Sequence, residues 1–84
     1  MLGRAAKRGD VAAQFRLGLI YARGLGVHRD PVKALAWLTI ASSHGHQEAE
    51  KQMVQLSLQL SENQLSCSQR LADAYSPAET GFSS

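Results

Sequence analysis

Cysteine is almost missing from this sequence, with Cys67 the only one among 84 residues. A disulfide framework within the chain is thereby excluded. A chain so poor in cysteine fits a reducing compartment or a cysteine-poor export, and the cytoplasm is the favoured expectation. No apolar run approaches the roughly 18 residues that a membrane helix needs, so no membrane insertion is expected. The opening residues Met1, Leu2, Gly3 and Arg4 lack the apolar core of a signal peptide. They read as if the chain entered partway through a helix of something longer. Val, Ile, Thr and aromatic residues are sparse, which argues against strands, whereas Ala, Leu, Gln and Ser dominate and favour helix.

Charge of one sign is also scarce overall, since the net charge is only +2. That balance does not by itself point to nucleic acid. Its distribution says more. Residues 1–33 hold seven bases and two acids, whereas residues 34–84 hold two bases and five acids. A basic half beside an acidic half either steers a charged partner or is simply a solvated helical surface. The hydrophobic fraction of 44% is ordinary for a globular chain and argues against wholesale disorder.

Caps and a 3.6-residue period divide the chain into helices. A short one over about Leu2–Arg8 stops at Gly9. Asp10 caps the next, over about Val11–Ala22, whose inward stripe is Ala13, Leu17, Ile20 and Tyr21. Gly18 lies on this same side and costs about 1 kcal/mol relative to alanine, a cost best explained by close approach of a neighbouring helix. Gly24 and Gly26 break the pattern. Asp30 and Pro31 restart it, and a helix over Pro31–His44 turns Ala34, Leu35, Trp37, Leu38 and Ala41 inward before Gly45. Further helices are expected over Gln47–Leu60, with Ala49, Met53, Leu56 and Leu60 inward, and over Glu62–Tyr75, with Leu65, Leu71, Ala72 and Tyr75 inward. Ser61 and Gln64 form a capping box between them. Ser76 and Pro77 end the last helix, and residues 76–84 read as a disordered tail.

Sliding the sequence by 36 positions superposes Leu2 on Leu38, Ala5 on Ala41, Gly9 on Gly45, Ala13 on Ala49, Leu17 on Met53 and Ile20 on Leu56. The agreement falls on apolar and turn positions, as it does in stacked helix pairs. The ordered set Ala13, Leu17, Gly18, Tyr21, Gly24, Gly26, Val27, Asp30, Lys33, Ala34, Trp37, Ala41 and Gly45 resembles the Sel1-like repeat, a relative of the tetratricopeptide repeat. The resemblance covers one full repeat over residues 11–46, with residues 1–10 as the end of a preceding repeat. Residues 47–75 depart from it, with Met53, Val54 and Ser57 where leucine, glycine and tyrosine belong, and no second glycine-rich loop. They read as a C-terminal capping helix pair whose polar face is Gln52, Gln55, Gln59 and Gln69. The resemblance implies an all-α fold, a short α-solenoid of stacked antiparallel helix pairs. It also implies an adaptor that grips a protein or peptide on a concave side lined by the first helix of each pair.

Chemistry finds little support. Gly24, Leu25 and Gly26 follow a helix rather than a strand and precede no lysine of a phosphate loop. His44 and His46 straddle a glycine and do not share a helix face with each other, and His28 lies far off in sequence, so no metal is expected. His44 reads as a residue at a helix C-terminus. Ser42 and Ser43 are adjacent to His44 and point away from it, and Cys67 reads as a small hydrophobe at the core edge, one turn from Leu71. No catalytic residue, cofactor or enzyme activity is expected.

Two apolar residues stand off the main stripe. Phe15 and Leu19 lie about 100° round the helix, flanked by Arg16 and Arg23. They are covered by a neighbouring repeat or else form a partner-binding patch of Phe15, Arg16, Leu19 and Arg23. The leading function is protein–protein interaction, with no nucleic acid. The alternatives are a helix-turn-helix-like DNA-binding domain and a purely structural C-terminal cap of a longer repeat protein. Leu2, Ala5 and Ala6 at an open N-terminal face offer a route to self-association.

Overall fold

A computed structural model describes residue 6 and residues 9–75. Four helices follow in order: α1 Val11–Arg23, α2 Pro31–Ser43, α3 Gln47–Ser57 and α4 Glu62–Tyr75. Among the described residues there is no strand, so the all-α expectation holds. The expected helix over residues 2–8 and the tail over residues 76–84 lie outside the described residues, apart from Ala6.

Each helix begins where a side chain satisfies its orphan amides. Oδ1 of Asp10 accepts from the Ala13 amide, and Oδ1 of Asp30 accepts from the Lys33 amide, both at 3.1 Å. Pro31 occupies the first turn of α2, where its missing N–H costs nothing. Ser61 and Gln64 form the reciprocal box. The Gln64 amide donates to Ser61 Oγ, and the Ser61 amide donates to Gln64 Oε1. Gly24 closes α1 in the left-handed conformation, φ 68°, and its N–H returns to the Ile20 carbonyl.

One boundary differs clearly from the sequence expectation. The third helix was expected to reach Leu60, and α3 stops at Ser57. Beyond it the bonds tighten to three-residue spacing, from the Gln59 amide to Leu56 O and from the Leu60 amide to Ser57 O. Ser57 Oγ also donates back to Val54 O, at 2.8 Å. That hydroxyl shares the carbonyl with the Leu58 amide, whose backbone bond to Val54 O is long, at 3.3 Å.

α2 is the central helix. Ala34, Leu35, Ala36, Trp37, Leu38, Ile40 and Ala41 are all buried, on more than one face. A helix apolar all round belongs in an interior, and α1, α3 and α4 each pack on it. The order of contacts with α1 is reversed along the chain. Tyr21 meets Asp30 and Lys33, Gly18 meets Ala34 and Leu38, and Phe15 meets His46. The two helices therefore run antiparallel. α3 and α4 make their main contacts with α2 rather than with each other.

The core has two halves on opposite sides of α2. In one, Trp37, Ala36 and Ile40 meet Ala6, Ala13 and Ala72, with Leu17, Tyr21, Leu71 and Tyr75 around them. The Trp37 and Tyr75 rings stack with centroids 4.4 Å apart, 8° from parallel. In the other, Ala34, Leu35, Leu38 and Ala41 meet Ala49 and Leu56, with Phe15, Met53, Leu60 and Leu65 at the edge. Ala6, read from sequence as part of an open face, is fully buried against the Trp37 half, so it offers nothing to a second copy.

Candidate protein-interaction site

α1 and α3 flank a cleft of about 160 Å³ whose base is α2. Leu38 and Leu56 are buried beneath it, and Leu19 and Ala22 are half-buried in its α1 wall. Arg23 and Arg29 stand on that same side, both exposed. Gln52 and Gln55 on α3 and Gln59 in the turn after it make the opposite wall. No Asp or Glu lines it. A volume below the roughly 300–1,000 Å³ of small-molecule pockets suits one side chain of a longer ligand. A larger depression of about 520 Å³ follows the outer face of α3, but Gln47, Glu50, Lys51, Val54 and Gln55 all come from that one helix and leave it without a second wall.

The geometry explains why the arginines remain available. Asp10 and Asp30 are the only acids in residues 1–33, and each commits an oxygen to a helix cap. Arg29 Nε donates to Ala22 O at 3.0 Å. That bond satisfies a carbonyl in the last turn of α1, where a cation is favoured. It uses one of five guanidinium donors and leaves the rest free to turn outward. Across the cleft, Gln52 donates to Glu48 over 3.5 Å, a long bond within α3 itself.

The four residues of the expected patch separate. Leu19 and Arg23 line the cleft, whereas Arg16 is exposed outside its lining. Phe15 is half-buried against the Leu38 side of the core, and its ring stacks on His46 with centroids 4.4 Å apart. It therefore helps to seat α3 against α1. His46 is held by its other contact, since Nδ1 accepts the Ala49 amide at 3.0 Å and caps α3. This geometry places the ring proton on Nε2. Replacing His46 with alanine removes both the cap and the stack, and about 1–2 kcal/mol of stability should go with them. His46→Asn keeps a capping acceptor, so it should recover part of that loss in urea melts. Equal losses for the two variants would deny the cap.

Sequence reasoning missed Arg29, Gln14 and the position of the glutamines. Gln52, Gln55 and Gln59 are expected from sequence as a solvated capping face; Gln55 and Gln59 are exposed, and all three also form a cleft wall. Gln14 is fully buried and donates to Ala6 O at 3.0 Å, tying the segment before Gly9 to α1. Cys67 is exposed rather than at the core edge, and the buried position one residue on belongs to Ser68, whose hydroxyl donates to Leu65 O. The helical phase of α4 decides between the two neighbours, because adjacent residues point about 100° apart.

The constellations with chemical potential do not assemble. His44 ends α2 and His46 begins α3, and no group of three His, Cys, Asp or Glu gathers among the described residues. Ser42 Oγ donates to Thr39 O and Ser43 Oγ to Ile40 O, so neither hydroxyl faces a base. No described helix is long and apolar enough to cross a membrane.

A central apolar helix, an antiparallel partner nested at a glycine, and a cleft between successive outer helices define a helical-repeat protein. Residues 11–46 match the family model of the Sel1 repeat. Sel1 repeats are in general non-enzymatic protein–protein interaction scaffolds. No curated protein matches the chain.

Proposed function

We propose that this chain is an adaptor module that holds a peptide segment of a partner protein in the cleft between α1 and α3, while residues 47–75 close the repeat array as its C-terminal cap. The observation that carries this reading is the cleft itself. It has an apolar base, walls from two different parts of the chain, and polar side chains along both. Glutamine amides suit this role because each offers a donor and an acceptor to a peptide backbone.

The DNA-binding alternative meets a steric objection. Its recognition helix would be α2, which is enclosed by the three other helices and has seven buried residues. A helix so placed cannot enter a major groove.

Panning a displayed library of random peptides on the 84-residue chain tests the reading. Enriched peptides should bind Leu19→Ala, Gln55→Ala at least about tenfold more weakly than the parent, a difference near 1.4 kcal/mol. Unchanged thermal melting would show that the variant remains folded. Failure to enrich any peptide, or affinities indifferent to the cleft, would refute it.

A further inference from the structure

We infer that the occupant of the α1–α3 cleft is an acidic peptide, one that sets an aliphatic side chain on the Leu38 and Leu56 base beside Leu19 and a carboxylate against Arg23 and Arg29. This rests on the peptide-binding reading above and adds the chemistry of the ligand.

Three observations support it. The lining contains two arginines and no acid. The two acids of the basic half of the chain keep their charge but are held at the caps of α1 and α2, and neither lines the cleft. Arg29 is also oriented in advance by its bond to Ala22 O. A guanidinium held in this way loses less freedom when it meets a carboxylate, and such pairs are frequently bidentate. The base of the cleft is aliphatic and about the size for one side chain. A nucleic acid strand would need open aromatic faces for its bases. The lining has none, and the ring of Phe15 nearby is occupied by His46.

The test uses the whole chain and three fluorescein-labelled peptides of equal length, in which leucines are set among glutamates, lysines or glutamines. A labelled single-stranded oligonucleotide is the fourth probe. Anisotropy at about 0.15 M salt, where charges are felt over about 8 Å, should show the glutamate peptide binding at least about tenfold tighter than the other probes. Arg23→Gln, Arg29→Gln should abolish that preference, whereas Arg16→Gln, outside the cleft, should preserve it. Raising the salt should weaken the glutamate peptide's binding to the parent, a readout that stands even if the double variant fails to fold. Equal binding of the glutamine or lysine peptide through the cleft would overturn the acidic occupant while leaving the peptide-binding function intact. Tighter binding of the oligonucleotide, no binding of the glutamate peptide, or insensitivity to both salt and the arginine pair would also overturn it.

Discussion

Trp37→Ala should lower the stability of the fold by roughly 3–5 kcal/mol, the usual cost of truncating a buried aromatic side chain. Trp37 is only 3% exposed. It joins three parts of the molecule: Ala13, Leu17 and Tyr21 from α1, Leu71, Ala72 and Tyr75 from α4, and Ala6 from the segment before them. Deleting the indole leaves a void where all three meet, and the near-parallel stack with Tyr75 goes with it. Small domains are stable by about 5–15 kcal/mol, so the loss is a large share of the total. Trp37→Phe should cost less, because it keeps an aromatic face for Tyr75. Chemical denaturation followed by far-ultraviolet circular dichroism measures both. A Trp37→Ala midpoint equal to the parent's would mean that the indole contributes nothing to the core.

The second large effect is expected at Gly18. A Cβ at this position would stand 2.7 Å from Leu38 Cγ and Cδ2 and 3.3 Å from the Ala34 carbonyl oxygen. Leu38 is 1% exposed, and its branch carbon can withdraw only if the whole side chain shifts toward the cleft that it lines. Alanine in place of glycine gains about 1 kcal/mol of helix propensity, whereas overpacking a filled core costs typically 1–3 kcal/mol. The clash should win here, because Cγ is the branch point of Leu38 rather than a flexible tip. Gly18→Ala should therefore destabilise by about 1 kcal/mol and Gly18→Leu by about 3 kcal/mol or more. A gain in stability for Gly18→Ala would show that α1 and α2 are less closely nested than the distances state.

What was legible in the sequence was mostly local. Asp10, Asp30, Ser61 and Gln64 announce helix starts because the cap and the amide it satisfies lie three residues apart. α2 was legible from Asp30, Pro31 and the inward set Ala34, Leu35, Trp37, Leu38 and Ala41, but not that Ala36 and Ile40 are buried as well, which makes it the central helix. Gly18 was legible as a cost that needed a reason, and the reason is Leu38. The cleft was not legible in full. Its walls lie about thirty residues apart in sequence, and periodicity within one helix cannot tell which residues face another helix and which face water. Gln52, Gln55 and Gln59 looked like a solvated stripe for that reason. Leu19 and Arg23 were found because they stand off the main stripe of α1, but Arg29 lies in a loop, where no period assigns a direction. His46 was missed as a cap because histidine is not among the residues favoured there. Phe15 then looked like a free anchor when it is half of a stack.

The nesting of α1 on α2 underlies both the core and the base of the cleft, because Leu38 belongs to each. A double-mutant cycle on Gly18→Ala and Leu38→Ala measures that nesting. The account predicts that Gly18→Ala destabilises the parent and is neutral or stabilising by up to about 1 kcal/mol once Leu38 is alanine, since the vacated space accepts the new methyl group and only the helix gain remains. The same loss in both backgrounds would contradict it.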